Sequence, residues 1–76
     1  MYIYTQDKKK LLKFSHLEVQ KNAFGSANEK YCIMSITTAG AAYDIIGYYP
    51  DERTAMNELK NIIMAMNMDA KVYEVM

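Results

Sequence analysis

The spacing of apolar residues along the chain changes at Pro50. Before this residue, apolar and polar positions mostly alternate, which is typical of β-strands with one buried face. After it, apolar residues recur every three or four positions, which is typical of an amphipathic helix, and residues 71–76 return to strand-forming types. The sequence therefore predicts a set of strands, then one helix, then a final strand.

Four β-prone segments precede Pro50. They cover residues 2–5, 12–19, 31–38 and 42–49. The apolar residues of the second segment change sides at Ser15-His16, which predicts a bulge or a turn, because a slip of one residue would send half of them to water. Between the last two segments, residues 39–41 are short enough for a hairpin turn, and Gly40 can adopt the positive φ that such a turn needs. In the third segment, we expect the face with Cys32, Met34 and Ile36 to contact the core.

The predicted helix covers residues 51–67. Asp51 can cap its first turn, and Glu52 suits the positive end of the helix dipole. On a helical projection, six apolar residues lie within about 60° of Leu59 and form one stripe. The stripe comprises Ala55, Met56, Leu59, Ile62, Ile63 and Met66. We expect this stripe to be the core face of the helix.

These elements predict a single α+β domain over residues 1–76. We expect an antiparallel sheet of four or five strands, with the one helix packed on one of its faces. The predicted order along the chain is β-β-β-β-α-β. The other sheet face carries tyrosines and is the expected contact surface.

Composition excludes several classes of protein and favours self-association. The 76 residues include nine basic and nine acidic side chains, so no net charge attracts nucleic acid or an anionic membrane. A domain of this size is near the lower limit for folding alone, and Cys32, the one cysteine, cannot form an internal disulfide. No cluster of Cys and His has the spacing of a metal site, so we expect neither metal nor cofactor. Seven tyrosines and seven methionines suit a homodimer contact surface.

The N-terminal residues do not have the pattern of a signal peptide. No apolar stretch approaches the roughly 20 residues that cross a bilayer. We therefore expect a cytoplasmic protein with a reduced thiol and no membrane contact.

Three segments resemble one group of proteins. They are residues 5–9 (TQDKK), 45–49 (IIGYY) and 51–55 (DERTA). Together they are similar to a widespread group of short, uncharacterised proteins of Gram-positive bacteria and their phages. Members of that group have a Thr-Gln-Asp-Lys-Lys start, a Leu-Gly-Xaa-Tyr strand end and a Glu-Glu-Arg-Ala helix opening. This chain departs from them at Tyr49 and Pro50, and at Thr54. The resemblance implies a bacterial or phage origin and the same order of elements, and the group has no assigned activity.

Only one set of residues could form a nucleophile, a base and an orienting group, namely Cys32, His16 and Asp44. Their spacing gives this set no support, and Cys32 lies inside a predicted strand, where no helix N-terminus would lower its pKa. We therefore predict no catalytic residue and no enzyme.

Two surfaces are candidates for binding. The first carries Tyr43 and Tyr49 on the sheet and Met64 and Met68 on the outer side of the helix, where methionines would otherwise meet water. It favours a small non-enzymatic interaction or accessory module that associates with itself or with another protein. The alternative is a nucleic-acid-binding module, in which the basic turn would contact phosphates and nearby tyrosines would stack on bases. The lysines of that alternative are Lys8, Lys9, Lys10 and Lys13.

Overall fold

The computed structural model describes residues 1–14, 16–36 and 43–76. In this part of the chain, six strands and one helix follow one another. They are β1 (Tyr2–Tyr4), β2 (Leu11–Lys13), β3 (Leu17–Lys21), β4 (Tyr31–Ile36), β5 (Tyr43–Tyr49), α1 (Glu52–Asn67) and β6 (Val72–Glu74). The predicted α+β class is confirmed.

The strands form two three-stranded sheets, ordered β2-β1-β6 and β3-β4-β5. The second is an antiparallel meander, whereas in the first β1 pairs with β2 antiparallel and with β6 parallel. The prediction of one antiparallel sheet with four or five strands in the order β-β-β-β-α-β is therefore wrong in its details. The described residues contain five strands before the helix and divide all six strands between two sheets.

The extra strand comes from residues 12–19, which the sequence pattern treats as one segment. The structure has two strands there, because β2 pairs with β1 in one sheet and β3 pairs with β4 in the other. The change of side at residues 15–16 thus coincides with a change of sheet. Ser15 itself and the turn predicted at residues 39–41 lie outside the described residues.

Gln6 joins the two sheets. Its backbone N–H donates to the carbonyl of Ile46 in β5 at 2.8 Å. Its side-chain amide accepts a hydrogen bond from Tyr48 N at 2.7 Å and donates one to Tyr48 O at 3.0 Å. The amide group of Gln6 therefore bonds to β5 as the main chain of a neighbouring strand would.

A bulge in β5 sends Ile46 into the core. Met34 lies opposite Ile45 and Ile33 lies opposite Gly47, so Ile46 is an extra residue in β5. An extra residue shifts the alternation of inward and outward side chains by one position, so the residues after it alternate in the opposite order to those before it. Ile46, which is 1% exposed, therefore joins the buried cluster.

Gly47 is required by the packing of Tyr49 beside it in β5. A Cβ atom placed on Gly47 would lie 2.4 Å from the hydroxyl oxygen of Tyr49. Since real Cβ atoms do not approach other atoms so closely, any side chain at this position would displace the tyrosine ring. The predicted position of Tyr49 on a contact surface is wrong: this residue is 4% exposed and belongs to the core.

Both sheets and the helix contribute to one hydrophobic core. Its buried members are Ile3, Ile33, Ile46, Tyr49, Ala55, Ile62 and Val75. Ile33 lies opposite Val19 of β3, which packs against the same cluster. The face of β4 predicted to contact the core is therefore only partly right: Cys32 is buried, but Met34 and Ile36 are only partly so, and the opposite face contributes Ile33 to the core cluster. Both faces of β4 carry apolar side chains, so alternation alone could not distinguish them.

The helix begins where the sequence predicts. Asp51 accepts hydrogen bonds from the backbone N–H and the hydroxyl of Thr54, at 2.7 and 2.8 Å. These bonds hold the pKa of the Asp51 carboxyl below its usual value. The predicted cap is confirmed.

The core face of the helix is rotated from the predicted stripe. Its buried residues are Ala55, Glu58 and Ile62. Three members of the predicted stripe are exposed instead, namely Met56, Ile63 and Met66. The buried side therefore lies about 60° away from the centre of the apolar stripe, towards Glu58.

Candidate functional site

One side of α1 carries exposed apolar residues that we call the helix flank: Met56, Ile63 and Met66. Their exposed fractions are 39%, 49% and 47%. At 100° per residue, the three side chains leave the helix within an arc of about 80°. The helix flank is thus an apolar strip that borders the half-buried Leu59, and among the described residues none of its three members belongs to the core cluster.

A hollow of about 480 Å³ continues the helix flank beyond the end of the helix. Its lining residues are Met1, Tyr2, Met66, Asp69, Ala70 and Lys71. The backbone turns sharply here, because Asp69 adopts a positive φ of 56°, which an aspartate tolerates better than most residues. Met66 belongs to both the flank and the hollow, so the two form one surface with an acidic and a basic side chain at its end.

The residues predicted for an interaction surface are spread over different elements. Met64 is 59% exposed at the outer side of the helix, and Met68, which follows the last helical residue, is 79% exposed. Tyr43 is 61% exposed at the first position of β5. Residue spacing does not identify the helix flank as a surface, because its residues have the spacing of a core stripe, and the folded chain buries the Glu58 side of the helix instead.

Glu58 lies on the opposite side of the helix from this flank and is 4% exposed. One carboxylate oxygen accepts hydrogen bonds from the Tyr73 hydroxyl at 3.0 Å and from the Met76 N–H at 2.8 Å. The other accepts one from the Asn61 amide at 3.0 Å. Protein donors thus occupy both oxygens of this buried carboxylate. Its hydrogen bonds hold β6 and Met76 against the helix.

Two tyrosines beside Glu58 have perturbed titration. Burial, followed by the hydrogen bond to Glu58, raises the pKa of Tyr73 to about 12. Burial, with a smaller effect of the Glu58 charge, also raises the pKa of Tyr49. Among the described residues, the buried hydroxyl of Tyr49 has no hydrogen-bond partner. No sequence pattern indicates this cluster, since Glu58 has the appearance of a solvated helix residue.

A polar cleft of about 390 Å³ opens next to the Glu58 cluster. Its lining residues are Gln6, Tyr48, Tyr49, Pro50, Thr54, Asn57, Glu58, Asn61 and Met76. The Gln6 amide is engaged by Tyr48 and by the carbonyl of Met76, and Glu58 is engaged as described above. The polar groups of the cleft are thus largely used in holding strands and helix together.

The basic turn is built around acidic partners. Lys8 pairs with Glu74 of β6, and its ammonium nitrogen lies 5.3 Å from the centre of the Tyr4 ring. Lys10 pairs with Asp44 of β5 at 2.6 Å, and this contact raises the pKa of Lys10. Of the four lysines of the nucleic-acid alternative, these two already contact carboxylates. Lys9 and Lys13 are exposed.

The first segment of the family resemblance, residues 5–9, is a hydrogen-bonded turn. The Thr5 hydroxyl donates to the Asp7 carboxylate at 2.7 Å, and the Lys9 N–H donates to the same oxygen at 3.0 Å. Both bonds lower the pKa of Asp7. Thr5 is buried, and Gln6 joins the sheets, so these residues serve the fold.

The candidate nucleophile, base and orienting group have separate neighbours. His16 contacts Glu18 at 2.9 Å, and Asp44 contacts Lys10 at 2.6 Å. Cys32 is buried, and burial raises the pKa of its thiol. The structure does not bring these three side chains together through any contact. Within residues 1–14, 16–36 and 43–76, no group of three or more His, Cys, Asp or Glu side chains could hold a metal ion.

Comparisons with known proteins find no matching family model, no similar curated protein and no similar solved structure. In the part of the chain that the structure describes, no helix has the length and apolar content needed to span a membrane.

Proposed function

We propose that this protein is a small, non-enzymatic interaction module that associates with a second copy of itself through the helix flank. One observation carries the proposal. Half of a six-residue apolar stripe on a regular helix lies outside the core, although the other half packs normally. Apolar side chains held side by side in water favour association, since covering them releases about 25 cal/mol for each Å² removed from solvent.

The residue types of the helix flank suit such a contact. Met56 and Met66 stand on either side of Ile63. Methionine side chains are unbranched and adapt to the shape of a partner, and they are enriched in protein interfaces. A rigid helix holds all three, so little backbone entropy is lost when they are covered.

A second copy is the occupant that the size of the chain favours. With 76 residues, the protein buries a smaller share of its surface than larger domains do. Association with an identical chain adds buried apolar surface to both copies and raises their apparent stability.

The proposal extends to a cytoplasmic location and an accessory role in a phage or mobile element. The similarity of residues 5–9 and 51–55 to phage-encoded proteins supports this part. It would be tested by examining whether the gene lies within a prophage.

The proposal predicts a dimer that one charge on the helix flank would dissociate. Light scattering after size exclusion, at micromolar concentration, should give about twice the chain mass of 8.8 kDa. Ile63→Glu should give the single-chain mass, because the new carboxylate would be buried without a partner in the dimer.

Met64→Glu is the matched control, because it places the same charge on the adjacent, similarly exposed residue of the helix. This variant should remain dimeric, and circular dichroism should show both variants folded. A wild-type protein of single-chain mass at every concentration would refute the proposal. If Met64→Glu dissociates the dimer and Ile63→Glu does not, the contact involves Met64 and Met68 on the outer side, and the helix flank is not the interface.

A further inference from the structure

We infer, on the basis of the proposed self-association, that two copies pair with their α1 helices antiparallel, about a twofold axis at residue 61. In an antiparallel pair of this symmetry, residues at equal distances on either side of the axis lie opposite each other, and each contact occurs twice. The positions of the flank residues and of the charges near both helix ends indicate the axis.

The apolar residues match about this axis. Met56 comes opposite the partner's Met66, and the half-buried Leu59 comes opposite the partner's Ile63. Every residue of the helix flank thereby packs against another apolar side chain. Moving the axis by one position, to residue 60, would instead place Ile63 against Asn57 and Met66 against Thr54.

The charges match about the same axis. Asp69 and Lys71 follow the end of α1, where they line the hollow next to Met66, and the axis brings the first helical turn of the partner copy, with its glutamate and arginine at positions 52 and 53, to this end of the flank. None of these four residues forms a salt bridge within the described part of the single chain.

The hollow gives Met56 of the partner copy a place to enter. It has a volume of about 480 Å³ and lies against Met66, the residue that the axis places opposite Met56. Antiparallel helices also place the negative end of one dipole beside the positive end of the other. Lys60 flanks the strip near the axis, where it meets its own copy, so it does not contribute attraction.

A charge exchange tests the register. Arg53→Asp and Asp69→Arg should each weaken dimerisation about tenfold, measured by analytical ultracentrifugation, because each removes two ion pairs per dimer and introduces repulsion. The double variant Arg53→Asp/Asp69→Arg should recover most of the wild-type affinity. Lys60→Gln, which removes a charge near the axis but no ion pair, should not weaken the dimer.

A disulfide test measures the same register without relying on charge. In a Cys32→Ala background, a mixture of Met56→Cys chains and Met66→Cys chains should form disulfide-linked heterodimers on mild oxidation. Each variant alone should form few, because residues 56 and 66 would each lie far from their own copies. Chains with Met64→Cys in place of Met66→Cys provide the control.

The two proposals fail in different ways. A monomeric wild-type protein would overturn both. A dimer that Ile63→Glu dissociates, but in which the charge exchange gives no recovery and the mixed cysteine variants do not cross-link, would overturn the antiparallel register and leave self-association standing.

Discussion

Ile62 and Ile63 are chemically identical neighbours on α1, yet one is 1% exposed and the other 49% exposed. Glu58, the residue one turn before Ile62, is 4% exposed, although its side chain is charged. The inner side of the helix thus contains a carboxylate, and the helix flank consists of apolar residues. The difference shows that apolar character did not decide which side of this helix is buried.

Hydrogen-bond donors from the last residues of the chain and from the helix itself explain why Glu58 can lie on the inner side. Tyr73, Met76 and Asn61 all donate to Glu58, so its carboxylate does not remain unpaired in the core. A buried carboxylate without such donors would cost several kcal/mol. The helix could therefore turn Glu58 inward, and the same rotation left the helix flank outside.

The largest expected effect separates the two isoleucines. Ile62→Ala should lower the free energy of unfolding by about 2–5 kcal/mol, because it leaves a cavity in the core. Ile63→Ala should lower it by less than about 1 kcal/mol in the single chain, since this side chain is half exposed. Urea unfolding at a protein concentration that favours monomer would compare them. Equal losses for both variants would mean that the two sides of the helix do not differ as described.

The next effect concerns the inner side alone. Glu58→Ala should destabilise the fold by about 3 kcal/mol, because the Tyr73 hydroxyl and the Met76 N–H lose their acceptor and the packing of the carboxylate is lost. Glu58→Gln keeps the shape and one acceptor oxygen, so its loss should be smaller. The same urea titration measures both. A neutral Glu58→Ala variant would show that the hydrogen bonds to this carboxylate contribute little.

A smaller and pH-dependent effect comes from the tyrosines beside Glu58. Tyr73 ionises near pH 10.0 when unperturbed and has a pKa of about 12 in the folded chain. Above pH 10 the unfolded chain loses this proton while the folded chain keeps it. The stabilisation that protonated Tyr73 contributes is therefore fully present below pH 10 and decreases as the pH rises towards 12. The raised pKa of Tyr49 adds to the loss in the same direction.

Unfolding should therefore become easier between about pH 10 and pH 12, and Tyr73→Phe should make this dependence less steep. Thermal unfolding followed at several alkaline pH values would measure it. The helix flank contains no titratable group, so Met56→Ala, the matched comparison, should retain the wild-type slope. A Tyr73→Phe variant with an unchanged slope would count against the described role of this residue.

The sequence predicted those elements whose signals are local. Pro50 and Asp51 mark the start of the helix. The antiparallel pairing of β4 with β5, the two strands before the helix, agrees with the sequence pattern. The parallel pairing of β1 with β6 could not be predicted, because two short strands at opposite ends of the chain carry no pattern that specifies their direction or partner.

The candidate site was predictable only in part. The sequence indicates the apolar stripe, but its division into a buried and an exposed half depends on how the helix packs on the β3-β4-β5 sheet and on the bond between Glu58 and Tyr73 of β6. The inward turn of Glu58 depends on donors that lie at the end of the chain, 15 and 18 residues away. Such contacts arise from the assembled fold, and residue spacing within the helix does not reveal them.

Gln6 has a consequence for how copies of this chain can meet. An uncovered strand edge would recruit further strands without limit and lead to aggregates, whereas a helix face on one side of the molecule is satisfied by a single partner. By bonding to both main-chain groups of Tyr48, the Gln6 amide closes β5 to incoming strands at that point. One side chain thus protects this strand edge against open-ended addition of strands, and its replacement by a residue without an amide would remove that protection.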